Sequence, residues 1–137
     1  MRHEIIPNMR YADAVRAIDF LCGAFGFERR AVYLSETDPN VVQHAQLVWE
    51  DRMIMVYSVV DTEYARAANM KTAAETGGPT MGLYLIVDEV DAHAERARAA
   101  GAEIILGPDD KEYGGRGYSA RDPEGNIWSF GNYDPWA

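Results

Sequence analysis

The chain repeats itself, and that repetition limits its fold more than any single motif. Displaced by 75 positions, the sequence pairs Asp13 with Asp88, Val15 with Val90, Ala17 with Ala92, Ala24 with Ala99, Gly26 with Gly101 and Glu28 with Glu103. Alanine-rich helices coincide by chance at a few such positions. The aspartate, the glycine and the glutamate carry more weight, because an aspartate caps a helix start and a glycine ends one in the left-handed region. Duplication of one supersecondary unit is the expected origin. At 137 residues, the chain has room for one domain or for two small halves sharing a core.

Each half reads β-α-β-β-β. In the first, residues 4–11 form a strand that Pro7 confines to an edge or an irregular start, since proline donates no hydrogen bond. Asp13 then caps a helix over 14–24, with Val15, Ile18, Cys22 and Phe25 on one face and Gly26 as its stop. Strands follow over 28–34, 41–49 and 52–59, the last two joined by a short hairpin at Glu50-Asp51. Residues 61–79 show no strand pattern and read as a linker with room for a helical piece. The second half gives a strand over 80–87, a helix over 90–100 stopped by Gly101, and strands over 103–106, 118–121 and 126–132. Module one is thus 1–60 and module two 80–137, within a single α+β domain.

Thirteen basic against 22 acidic residues leave a net charge of −9, so a phosphate backbone would be met by repulsion. Nucleic acid is excluded as an expected partner. The same field attracts cationic small molecules, although acidic surfaces also serve solubility alone. The single cysteine, Cys22, allows no intrachain disulfide and lies on the apolar side of the first helix, where a thiol is a small hydrophobe. The opening Met1-Arg2-His3-Glu4 is unlike a signal peptide, and no stretch reaches the ~20 apolar residues of a membrane span. A cytoplasmic location without membrane association is expected.

Three segments, 10-RYADAVRAIDFLCGAFGFE-28, 85-LIVDEVDAHAERARAAGAEI-104 and 113-YGGRGYSARDPEGNIWSF-130, together with the strand order, resemble the vicinal oxygen chelate superfamily. Its members include glyoxalase I, extradiol dioxygenases, fosfomycin-resistance enzymes and bleomycin-resistance proteins. The resemblance implies two βαβββ modules forming a curled mixed sheet around a central cleft, commonly completed by a second identical subunit. Catalytic members hold one divalent metal there through His, Glu or Gln on the first and last strand of each module. Transferred to this chain, those positions fall on Ile6, Met55, Gly82 (Met81 with a slip of one) and Ser129. None offers the imidazole nitrogen or carboxylate oxygen that such ions need. A one-residue slip does not help, because adjacent strand residues face opposite sides of the sheet. No metal and no other cofactor is expected.

His44 and Gln46, two apart on one strand face, either orient a ligand or make structural hydrogen bonds. Period-two phasing places Asn8, Met53, Tyr57, Tyr84 and Tyr118 on the cleft side with Met55 and Ser129, and turns Trp128 away. Arg116, set between glycines, either holds a carboxylate or phosphate or anchors its own loop. Asp122-Pro123-Glu124-Gly125 reads as a turn, and His93 as a solvated helix residue. The expected ligand-binding set is therefore Ile6, Asn8, His44, Gln46, Met55, Tyr57, Tyr84, Arg116, Tyr118 and Ser129. Catalytic residues are not legible. The expected function is a homodimeric bleomycin-resistance-like protein that binds a small organic molecule, cationic ones included, in a metal-free cleft. The alternatives are a superfamily lyase, isomerase or dioxygenase with an atypical metal site or metal-free acid–base chemistry, and an accessory module with a vestigial cleft.

Overall fold

In the computed structural model, which describes residues 1–137, each half of the chain builds its own four-stranded mixed sheet. The first half contains β1 (Asn8–Tyr11), α1 (Ala14–Phe20), β2 (Glu28–Leu34), β3 (Val42–Trp49) and β4 (Arg52–Ser58) in the order β1-β4-β3-β2. β1 runs parallel to β4, and the other pairs are antiparallel. β1 starts at Asn8 and not near Glu4: Pro7 has no N–H to give, although its carbonyl still accepts from the Met55 N–H at 2.9 Å. Glu50, at φ 53°, turns the two-residue hairpin between β3 and β4.

Asp13 caps α1 as its sequence position predicts, its carboxylate accepting from the Arg16 N–H at 3.1 Å. Ala14, Ala17 and Ile18 are buried on the face that packs on β3 and β4. The helix does not continue regularly to Ala24. Leu21–Phe25 wind as a wider π turn, in which the Gly26 N–H reaches back five residues to the Leu21 carbonyl. Gly26 then ends it at φ 91°. Under α1 lie Ala45, Leu47, Ile54 and Val56, all buried, while His44, Gln46, Met53, Met55 and Tyr57 alternate onto the opposite, open face.

The 61–79 segment holds two short helices, α2 (Glu63–Ala68), capped by the Thr62 hydroxyl, and α3 (Ala73–Thr76). The chain divides into two compact units, Met1–Cys22 with Gly26–Thr72, and Gly23–Phe25 with Ala73–Ala137.

The second unit contains β5 (Gly82–Ile86), α4 (Val90–Ala99), β6 (Glu103–Asp110), β7 (Arg116–Arg121) and β8 (Ile127–Gly131), in the order β5-β8-β7-β6. This is the order of the first sheet, so both halves are βαβββ modules in an α+β fold. β6 runs four residues past the expected Leu106, with register breaks between Ile104 and Asp109. Asp88 does not repeat the role of Asp13, since the residue that caps α4 is Glu89, without a side-chain bond. Gly101 follows the helix at φ 99°, as expected.

The core of this unit is aromatic. Trp128 and Phe130 are fully buried, with ring centroids 5.3 and 4.8 Å from that of Phe25. Asp122, 4% exposed, organises the turn that precedes β8. One carboxylate oxygen accepts from the Glu124 and Asn126 N–H groups at 2.9 and 3.1 Å, and the other from the Trp128 indole N–H at 3.1 Å. Gly125, at φ 91°, closes the turn.

Candidate functional site

On the open face of the first sheet, the strand register sets Asn8 beside Met55 and Arg10 beside Tyr57 across β1 and β4, and Gln46 beside Met55 across β3 and β4. Over the β1 side of this face is a hollow of about 380 Å³. Asn8, Arg10 and Tyr57 form its sheet wall, and Thr62, Tyr64 and Met70, from the stretch carrying α2, contribute on the other side. α2 buries none of its own residues. The Arg10 guanidinium donates to the Val60 carbonyl at 3.1 Å and meets no carboxylate, which leaves a cation facing this space.

Beside the hollow, His44 lies between two tyrosines. The Tyr33 ring is stacked at 6.0 Å and 18°, and the Tyr57 ring is tilted at 5.4 Å. Gln46 Nε2 lies 3.1 Å from His44 Nε2, and Gln46 Oε1 accepts from Arg30 at 2.7 Å. His44 and Gln46 therefore meet on one face, where the Gln46 amide oxygen is already engaged by Arg30. Tyr57 also points its hydroxyl toward the Met55 sulfur at 3.9 Å.

In the second unit, Tyr84 stands beside Ser129 across β5 and β8. The Ser129 and Ser119 hydroxyls are 2.7 Å apart, and the Tyr84 hydroxyl donates to the Tyr133 carbonyl at 2.7 Å. Partial burial and the neighbouring Tyr113 raise the Tyr84 phenol above its ordinary pKa.

Three expectations are corrected here. Tyr118 is 2% exposed and faces α4, not the open side, because its register partner is the core residue Phe130. Its hydroxyl lies 2.5 Å from His93 Nδ1, and burial pushes its pKa well up. His93 is accordingly half-buried and not solvated. Its Nε2 bonds the Phe25 carbonyl at 3.0 Å, and desolvation lowers its pKa. Arg116 takes the anchoring role. It grips both Asp91 oxygens at 2.8 and 3.0 Å and Asp110 at 3.2 Å, so its pKa rises and that of Asp91 falls. Ile6 lies ahead of β1 and outside the ladder.

The metal-ligand positions implied by the resemblance do not fit a divalent ion. The first unit offers Ile6 and the thioether of Met55, and the second Gly82 and a Ser129 hydroxyl bonded to Ser119. No three His, Cys, Asp or Glu side chains cluster to hold a metal. Sequence reasoning missed Arg10, Arg30, Tyr33, Tyr64 and Met70. Period-two phasing from Asn8 would have found Arg10. Tyr64 and Met70 carried no local signal, because only the fold-back of 61–72 brings them to the sheet.

A family model described as Glyoxalase/Bleomycin resistance protein/Dioxygenase superfamily matches residues 6–130. The chain is 31% identical over 128 residues to the uncharacterized protein Rv0887c of Mycobacterium tuberculosis, covering 91% of this chain and 71% of that one. Among solved structures it is similar to TioX from Micromonospora sp. ML1, at TM-score 0.71 and 28% identity over 97% of this chain and all of that one. It also shares the fold of the fosfomycin-resistance protein FosX from Listeria monocytogenes, at TM-score 0.70 and 13% identity over 98% of this chain and 93% of that one. The duplicated βαβββ topology and the match across nearly all of the sequence together place the chain in the glyoxalase/bleomycin-resistance/dioxygenase superfamily.

Proposed function

We propose that this protein binds a small planar organic molecule on the open face of its first sheet, without a metal ion. The observation that carries this reading is the hollow walled by Asn8, Arg10, Tyr57, Tyr64 and Met70, next to the Tyr33, His44 and Tyr57 rings. Aromatic and thioether side chains with a few polar groups are what a flat amphipathic ligand requires, each ring contact adding ~0.5–1.5 kcal/mol beyond buried area. The −9 net charge favours cationic ligands at long range. At contact distance the local group decides, since distant exposed charges are screened beyond roughly 8 Å. That group is Arg10, so a carboxylate or carbonyl on the ligand is favoured over an ammonium.

The protein acts as a cytoplasmic homodimer in this reading, with Met55 on the same open face as the hollow. The test is calorimetric titration with planar aromatic acids and with planar aromatic amines, alongside metal analysis of the purified protein. Binding of the acids, weakened at least about tenfold in Arg10→Met, is the expected result. Stoichiometric zinc, nickel, manganese or iron lost on replacing His44 would overturn the metal-free reading and favour a superfamily enzyme.

A further inference from the structure

We infer that Arg30 and Gln46 set His44 as a fixed Nδ1–H donor, so that the edge of the imidazole held between Tyr33 and Tyr57 meets the carbonyl edge of a planar ligand. This rests on the proposed binding of a planar molecule at this face and adds which chemical edge the site selects.

A guanidinium only donates, so the Gln46 atom 2.7 Å from Arg30 Nη1 is the amide oxygen. The amide nitrogen then faces His44 Nε2 at 3.1 Å. An NH2 group donates, so His44 Nε2 is the acceptor and the ring hydrogen sits on Nδ1. The reverse arrangement would set two donors against each other at the Arg30 end. His44 Nδ1 has no hydrogen-bond partner within the protein, although the ring is only partly exposed. The rings of Tyr33 and Tyr57, at 6.0 and 5.4 Å, flank the imidazole and hold it in place. What remains is one unbonded donor on an imidazole flanked by two tyrosine rings. Arg30 is a positioning residue here, acting through Gln46.

Two measurements test this. Long-range proton–nitrogen correlation on the full-length protein labelled at histidine nitrogen reads the tautomer, with His44→Phe assigning the signal. The wild type should show the Nδ1–H pattern. Gln46→Leu and Arg30→Met should lose it, and Arg30→Lys, which keeps a pure donor, should retain it. A merely structural Arg30 would leave the pattern unmoved in both Arg30 variants, and an Nε2–H pattern in the wild type would overturn the relay.

The second measurement compares anthraquinone-2-carboxylate with anthracene-2-carboxylate, which share three flat rings and the acid and differ in the ring carbonyls. The anthraquinone should bind roughly fivefold more tightly to the wild type, the worth of one net hydrogen bond, and Gln46→Leu should bring the ratio to about one. Equal binding of both compounds to the wild type sinks this inference alone. Failure of both to bind sinks the proposed function and the ligand half of this inference with it, while the tautomer still judges the relay.

Discussion

Asp122→Ala should be among the most damaging single changes in the second unit, although Asp122 touches no candidate ligand-binding residue. The side chain is almost fully buried and its two oxygens accept from the Glu124 N–H, the Asn126 N–H and the Trp128 indole N–H at 2.9–3.1 Å. The Asn126 side-chain amide adds a fourth contact at 3.2 Å. Hydrogen bonds to a charged acceptor contribute about 1.5–3 kcal/mol each, and a buried donor left alone costs about 1–3 kcal/mol. The backbone donors of the turn can recover water, whereas the indole N–H of the fully buried Trp128 cannot. A loss of about 3 kcal/mol is therefore expected, out of a total stability of roughly 5–15 kcal/mol.

For a chain of this size such a loss lowers Tm by about 10 °C. Asp122→Asn should cost less, because it keeps an oxygen for the two backbone donors while its NH2 group faces the indole N–H. Urea unfolding followed by circular dichroism measures both variants. A cycle with Trp128→Phe should return a coupling of about 1 kcal/mol or more. A cost for Asp122→Ala below about 1 kcal/mol at unchanged m would refute the reasoning, as would equal costs for the alanine and asparagine variants.

Three further outcomes are expected. Desolvation holds the His93 pKa below its ordinary 6.5, so the unfolded chain takes up the proton first. The stability due to the neutral ring is present above about pH 6.5 and is lost as pH falls toward the lower folded value, so the urea midpoint should drop between about pH 7.5 and 5.5, and less so in His93→Gln. Gly107→Ala should destabilise by about 2 kcal/mol or more in the same assay, because φ is +75° and the new Cβ would lie 2.6 Å from the Gly117 carbonyl oxygen. Ser129→Glu should not confer stoichiometric Mn²⁺ or Zn²⁺ binding in equilibrium dialysis, because Ile6, Met55 and Gly82 still supply no ligand.

The sequence by itself determined the duplicated βαβββ plan, the superfamily, the Asp13 cap, the glycine stops and the open-face phasing of β3 and β4. These are local properties: caps, stops and period-two alternation depend on residues a few positions apart. It also gave the expectation that Met55 and Ser129 offer no imidazole or carboxylate donor, since that depends on side-chain identity alone.

Where phasing failed, an interruption or a distant partner was responsible. Tyr118 was placed on the wrong face because counting through the glycine loop of 113–117 lost the register, which pairing with Phe130 fixes. Arg116 had two readings that only its partners Asp91 and Asp110 could separate, and His93, read as solvated, is half-buried against its partners Tyr118 and Phe25. Arg10, Tyr64 and Met70 came to line one hollow only when the chain after β4 folded back over the sheet. A hydrogen bond or a hollow between residues tens of positions apart has no period to read, so tertiary structure alone could decide them.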